Sequence, residues 1–203
     1  MLRISRSEEE STMRAAVVAG SRSYEGLDLE ALAGADLLVA ADGGAEALAY
    51  AGMVPTVLIG DMDSVTDQTR QACEDRGIEV VRLCTNKNET DAEAALRLVV
   101  DRGADEITIH GALGGPRLDH LLGNILLLSA SWLDNVAVRM VDDRHEVFLV
   151  RGDVVFGGEP GDLVSLLPLT TEVKKVRTSG LSYPLAGESL FMSSTRSISN
   201  SMT

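Results

Sequence analysis

Apolar and polar residues fall in blocks along the first two thirds of the chain. Five short runs are mostly apolar or β-branched: Ala15–Ala19, Leu37–Ala41, Val57–Ile59, Val80–Leu83 and Ile107–Ile109. Continuous runs of this length predict strands buried on both faces of a sheet. Helical patterns lie between them. Ala45–Ala51 is Ala-rich, and Thr66–Arg76 is polar and stops at Gly77, a helix-ending glycine. Thr90–Arg102 puts Ala92, Ala95, Leu96, Val99 and Val100 on one face and stops at Gly103. Leu118–Ser131 is apolar enough to predict an interior helix. This alternation predicts an α/β fold, Rossmann-like, with a mostly parallel sheet and helices on both faces.

After residue 135 the helices stop. Val136–Val141 and Glu146–Val150 read as strands with no helix between them, and Asp153–Phe156, Leu163–Leu167 and Val173–Val176 follow at Gly, Pro and Asp turns. A small antiparallel β-sandwich domain is expected there. The boundary lies in the 143–151 stretch, giving an α/β domain over 13–143 and a β-domain over 144–203. Residues 1–12, with Glu8-Glu9-Glu10, are expected to be a disordered leader, and Met13, just before the first strand, is a second candidate start.

Charge narrows the partners. The chain has 18 basic and 31 acidic residues, a net charge of −13. Nucleic acid and anionic membranes attract basic surfaces, so neither is expected as a partner. No apolar stretch approaches the ~20 residues of a membrane span. Cys73 and Cys84 show neither metal spacing nor a disulfide framework, which suggests a reducing, cytoplasmic setting.

The candidate chemistry sits in the turns that close the strands. In an open parallel sheet these turns line one edge, where ligands bind. Asp42-Gly43-Gly44 follows the second run, and Gly60-Asp61-Met62-Asp63-Ser64 the third. Lys87 and Thr90-Asp91-Ala92-Glu93 follow the fourth, and Gly111 to His120 follows the fifth. Asp42, Asp61, Asp63, Lys87, Asp91, Arg117 and Asp119 are therefore expected to converge.

Each turn also has a plain structural reading. Asp61 and Asp63, two apart in extended backbone, would face one ion together, and Mg2+ suits such carboxylates with phosphate and water. Alternatively, Asp63 or Ser64 caps the helix near Thr66. Asp42-Gly43-Gly44 either exposes backbone N–H groups to phosphate or makes an ordinary Asp-Gly turn. Thr90 and Glu93 form a capping box that places Asp91 in the first helical turn. Gly114, Gly115 and Arg117 suit an anion, and Asp119 either binds metal or holds Arg117. Neither a P-loop nor a Gly-x-Gly-x-x-Gly fingerprint is present.

In this order the turns resemble those of the thiamine pyrophosphokinase family. The matching segments are Ala41–Ala45, Gly60–Ser64, Lys87–Asp91 and Gly114–Asn124, then Gly180–Leu185 and Ile198–Asn200 in the tail. The resemblance spans residues 15 to 201. It implies transfer of diphosphate from ATP to the thiamine hydroxyl, releasing AMP, by a Mg2+-dependent homodimer. It implies that Asp42, Asp61, Asp63 and Asp91 hold Mg2+ and the phosphate chain, with Gly43, Gly44, Gly114 and Gly115 beside it. Lys87 and Arg117 would contact phosphates, and Asp119 would orient Arg117 or polarise the hydroxyl. Ser199 and Asn200 would line the thiamine pocket. Ser197 replaces a glycine common in such tails, and the chain ends at Thr203, where the family continues with closing strands; an incomplete β-domain with an open edge is expected. Two other readings are a related diphosphokinase acting on a pterin alcohol and a non-catalytic nucleotide- or thiamine-binding module.

Overall fold

A computed structural model describes residues 12–20 and 26–203. The expected leader, Thr12 apart, lies outside the described residues, as does Ser21 of the first turn. The chain forms two compact units, residues 1–149 and 150–203.

The first unit is built on seven strands in the order β4-β3-β2-β1-β5-β6-β7. They are β1 (Arg14–Val18), β2 (Leu37–Ala41), β3 (Val57–Gly60), β4 (Glu79–Arg82), β5 (Glu106–His110), β6 (Ala137–Val141) and β7 (Glu146–Phe148). The first six run parallel. The helices are α1 (Leu29–Ala33), α2 (Gly44–Tyr50), α3 (Asp67–Asp75), α4 (Asp91–Asp101) and α5 (Leu118–Leu127). Strand alternation feeds two cores. Ala15, Val17, Val39, Ile59, Ile107 and Ile109 meet Ala95, Leu96 and Val99 of α4 on one face. Ala16, Val18, Leu38, Ala40 and Leu58 meet Leu32, Leu48 and Cys73 of α1, α2 and α3 on the other. This two-sided burial explains why the strands read as unbroken apolar runs.

The strand order sets the position of a crevice. The chain steps outward from β1 to β4, then crosses back through α4 to place β5 on the other side of β1. The carboxyl ends of β1 and β5 therefore mark the point where the strand order reverses.

Two expectations in this unit are corrected. Glu146–Phe148 belongs to the first sheet, not to the tail, because it pairs antiparallel with β6. The reversal is made by Asp142, whose Oδ1 accepts from the N–H groups of Arg144 at 2.8 Å and His145 at 2.6 Å. Helix α5 is not interior: Leu118, Leu122 and Leu126 are 66%, 51% and 55% exposed. Helix α4 already fills the core on that face, and the α5 segment reaches it through Leu127 and Leu128.

The second unit contains small antiparallel sheets. Strands β9 (Glu172–Arg177) and β10 (Ala186–Phe191) form one pair, and β8 (Leu163–Val164) and β11 (Asn200–Ser201) the other. Sequence reading misses β10 because Ala-Gly-Glu-Ser has weak strand preference; pairing with β9 supplies it. The strand expected at Asp153–Phe156 does not form. None of its residues lies in a strand, and Val155 is 98% exposed.

Candidate active site

Three strand ends build the acidic part of the site. Asp42 follows β2, Asp61 follows β3, and Asp91 opens α4 after β4. Each offers a carboxylate oxygen within 4.8 Å of the other two. Asp42 is held in the left-handed region at φ 46, its N–H donating to Ile59 O at 2.8 Å. Two glycines make this geometry fit. A Cβ on Gly60 would lie 2.9 Å from Asp42 Cβ, and one on Gly44 would lie 1.9 Å from the Val18 carbonyl oxygen. Only glycine lets the end of β3 lie this close to Asp42, and α2 this close to β1.

Lys87 is the cation in this cluster. Its Nζ lies 2.9 Å from Asp91 Oδ1 and 3.9 Å from Asp61 Oδ2, and its side chain is only 14% exposed. Burial opposes the Lys87 charge, but pairing with Asp91, helped by Asp61 and Asp42, raises its pKa overall. Burial pushes the Asp42 carboxyl up; Ser64 and the Gly43 backbone pull it back in part, while Asp91 and Asp63 add to the rise. Among the described residues, three carboxylates against one ammonium leave the cluster short of positive charge.

Asp42 Oδ1 is buried and has no hydrogen-bond partner among the described residues. An orphaned carboxylate oxygen beside two others is an all-oxygen donor set that fits a hard divalent cation. By donor chemistry the residues suit Mg2+.

The structure does not bring every expected residue into this group. Asp63 lies outside it. Met62 between the two aspartates adopts φ 68, so the backbone is not extended and the same-side rule does not apply. Asp63 instead accepts from the Ser64 hydroxyl at 2.8 Å, and its N–H donates to Asp61 Oδ1 at 3.2 Å. Neither Asp63 nor Ser64 caps α3; Thr66 does, through Thr69 N–H at 3.2 Å. Thr90 caps α4 through Glu93 N–H at 3.2 Å, but the Glu93 carboxylate turns to Arg97, so the capping box is half made.

Arg117 and Asp119 form their own pair. Arg117 Nε donates to Asp119 Oδ1 at 3.2 Å, and a second bond joins Nη2 to Oδ2. Hydrogen bonding from Arg117 holds the Asp119 carboxyl down at about 2. Both side chains are exposed, beside the exposed Gly114 and Gly115 in the loop after β5. Asn124, which sequence reading assigned no role, anchors this loop by donating to Ala112 O at 3.0 Å.

The second unit has its own pocket of about 200 Å3, lined in part by Leu166, Leu181, Tyr183, Ser197, Ser199 and Asn200. Asn200 Oδ1 accepts from Tyr183 N–H at 3.0 Å, and its Nδ2 donates to Tyr183 O at 2.7 Å. These bonds fasten the Gly180–Leu185 segment to the tail. Ser199 takes φ 60, with its N–H on the Ser165 hydroxyl at 3.0 Å. Ser197, at the position where glycine was anticipated, is buried, and its hydroxyl donates to Leu166 O at 2.6 Å. Of these lining residues, sequence reading gave site roles to Ser199 and Asn200 alone. Leu166 and Leu181 carry no local signal beyond their apolar character.

Known proteins with this pattern agree with both units. Residues 29–140 match the model of the thiamin pyrophosphokinase catalytic domain, and residues 153–203 match that of its vitamin B1 binding domain. A thiamine pyrophosphokinase of Bacillus subtilis (strain 168) is 30% identical over 168 residues, which is 82% of this chain and 78% of the relative. The crystal structure of the thiamine pyrophosphokinase from Bacillus subtilis superposes with a TM-score of 0.82 at 29% identity, covering 93% of this chain and 89% of that one. That of Geobacillus thermodenitrificans gives a TM-score of 0.74 at 27% identity, covering 94% and 88%. The acidic cluster falls in the segment that matches the catalytic domain and the Asn200 pocket in the segment that matches the vitamin-binding domain, and the chain belongs to the thiamin pyrophosphokinase family.

Proposed function

We propose that the protein transfers the diphosphoryl group of ATP to the hydroxyl of thiamine, giving thiamine diphosphate and AMP. The hydroxyl oxygen attacks the β-phosphorus and the bond to the α–β bridging oxygen breaks. The hydroxyl proton is released, and the bridging oxygen leaves with AMP. The observation that carries this reading is the Asp42–Asp61–Asp91 cluster with Lys87, at the ends of adjacent strands in a member of this family. Transfer of this kind needs positioning and charge neutralisation more than covalent chemistry.

Asp42, Asp61 and Asp91 would hold Mg2+, which when bound neutralises phosphate charge and polarises the transferred group. Lys87 is tethered to two of these carboxylates and supplies a fixed positive charge to the phosphate chain. Asp63 enters through Ser64 and as a charge neighbour of Asp42, not as a direct ligand. Arg117, kept ionised and oriented by Asp119, meets phosphate from the loop after β5, alongside Gly114 and Gly115. Gly43 and Gly44 leave the backbone beside Asp42 bare for the phosphates. The pocket with Ser199 and Asn200 takes thiamine.

The family resemblance also supports a homodimer. The acidic surface and two free cysteines fit a cytoplasmic enzyme. Among the described residues no helix is long and apolar enough to cross a membrane. Family membership leaves the pterin-alcohol and non-catalytic readings without support. The test is to incubate the protein with ATP, Mg2+ and thiamine and resolve the products. Equimolar AMP and thiamine diphosphate are expected; ADP, free phosphate or no turnover would overturn the assignment. Sedimentation analysis tests the dimer.

A further inference from the structure

Glu46 belongs neither to the acidic cluster nor to the tail pocket, yet it joins the two loops that carry Asp42 and Asp61. It stands half-buried in the first turn of α2, just past Asp42-Gly43-Gly44. Its Oε1 accepts from the Thr66 N–H at 2.7 Å, and Thr66 closes the loop that begins at Asp61. We propose that Glu46 is a positioning residue for the divalent cation: it ties the Asp61 loop to the start of α2 and so fixes the spacing of Asp61 from Asp42. The proposal rests on the reading of the cluster as a Mg2+ site.

Three observations lead there. The first is what the bond replaces. Thr66 is the N-cap of α3, and its hydroxyl accepts from the Thr69 N–H at 3.2 Å. In a capping box the residue at that third helical position is Glu or Gln, and it turns back to the N–H of the cap. Here it is Thr69, whose hydroxyl is bonded to that of Thr66 at 3.1 Å. Glu46 supplies the absent acceptor from another helix. Its partner is a backbone N–H rather than a cation, and a carboxylate makes such a bond stronger than a neutral acceptor does.

The second is contact between the loops. A Cβ on Gly43 would lie 3.4 Å from Ser64 Cβ, so the turns after β2 and β3 touch. The Ser64 hydroxyl donates to Asp63 Oδ1 at 2.8 Å and bears on the Asp42 carboxyl as well. Met62 and Val65 pack against the core that holds Ala45, Ala47 and Leu48 of α2. Glu46 is the polar fastening at the far end of this contact.

The third is the repulsion that the fastening opposes. The carboxylates of Asp42, Asp61 and Asp91 lie within 4.8 Å of one another. Asp91 is fixed as the first residue of α4, whereas Asp61 is carried on the loop ahead of α3. Outward movement of that loop would relieve the repulsion and spread the ligands. A bond at Thr66 holds the loop in, which keeps the donor set formed before the cation arrives.

Three substitutions separate position from charge and from stability. Glu46→Gln keeps an oxygen that accepts from Thr66, Glu46→Ala removes it, and Thr66→Ala removes the α3 cap while keeping the N–H. In the metal-free full-length protein, amide exchange read by NMR should be about tenfold faster at Thr66 in Glu46→Ala and unchanged in Glu46→Gln. Scanning fluorimetry with Mg2+ alone should place the half-maximal Tm gain at about tenfold higher Mg2+ in Glu46→Ala and within about threefold of wild type in Glu46→Gln, the scale expected for a group that orients a metal ligand. Thr66→Ala should lower the Tm yet leave the half-maximal Mg2+ concentration in place. Glu46→Asp, one methylene shorter, should repeat the loss should Glu46→Ala not fold. Unchanged Mg2+ dependence in Glu46→Ala would overturn the proposal. So would Glu46→Gln behaving as Glu46→Ala, which would put the effect in charge, or Thr66→Ala weakening Mg2+ equally, which would put it in stability. If Mg2+ stabilises the wild type and every variant alike, the proposal falls alone; if Mg2+ does not stabilise the wild type, the metal reading falls and the proposal with it.

Discussion

Replacing Asp61 with Asn separates a metal-binding role from a structural one, because the two demand opposite signs in the metal-free protein. Asp61, Asp42 and Asp91 lie with carboxylate oxygens within 4.8 Å of one another. At that spacing one like-charged pair costs about 1 kcal/mol in a water-like dielectric and about 3.5 kcal/mol at an effective dielectric near 20. Asp61 faces two such neighbours and one opposite charge, Lys87 Nζ at 3.9 Å. The lysine offsets roughly one repulsion and leaves the other, so the charge on Asp61 opposes folding by about 1–3 kcal/mol. Asparagine keeps the shape and still accepts from the Asp63 N–H. Asp61→Asn should therefore raise the Tm in EDTA, by about 2–4 °C per kcal/mol for a chain of this size. Millimolar Mg2+ should stabilise the wild type, as any ligand of the native state does, but should stabilise the variant far less. Turnover should fall about 10²–10³-fold, the scale of losing one preorganised electrostatic contact. Scanning fluorimetry in EDTA and in Mg2+, with an AMP-release assay, reads all three. A variant less stable in EDTA that keeps its Mg2+ gain would refute the reasoning.

Other outcomes follow from single contacts. Gly44→Ala forces a methyl to within 1.9 Å of the Val18 carbonyl oxygen, so it should cost about 3 kcal/mol or more, seen as a reduced denaturation midpoint. Asn200→Ala removes both bonds to the Tyr183 backbone, and steady-state kinetics should show at least a tenfold rise in the KM for thiamine with the KM for ATP nearly unchanged. The folded-state pKa of His110 lies below its ordinary 6.5 because of burial. The unfolded chain therefore binds the extra proton first, and this contribution to stability is complete above pH 6.5 and lost as the pH falls toward the folded value. The slope of Tm against pH between 7.5 and 5.5 should be shallower in His110→Asn than in the wild type; equal slopes would contradict this.

Much of the first unit is legible locally. Runs such as Leu37–Ala41 and Val57–Ile59 announce buried strands, because a sheet covered on both faces leaves no polar position to interrupt them. Thr90 and Asp91 announce the start of α4, because capping is chemistry between neighbours in sequence. Exposure of an apolar helix is different. Nothing within Leu118–Leu127 says that α4 has already filled the core it would have entered. Nor does anything within Glu146–Phe148 say that the strand turns back onto β6 instead of starting the tail.

The same division runs through the site. Sequence alone determined that carboxylates and cations follow the strands, since strand ends in a parallel sheet share one edge and the residue types are read directly. Only the tertiary structure decided which of them meet. Met62 in a left-handed conformation turns Asp63 away from the group; Gly60 lets the end of β3 pack against Asp42, and Gly44 lets α2 pack against β1; and Lys87 is held between Asp61 and Asp91. His110 gave no signal as a strand residue: that it is fully buried with no hydrogen-bond partner among the described residues is a property of the packed structure. Spacing along a chain limits which groups can approach. Backbone torsion and packing select the ones that do, at the ångström scale on which carboxylates repel and hydrogen bonds form.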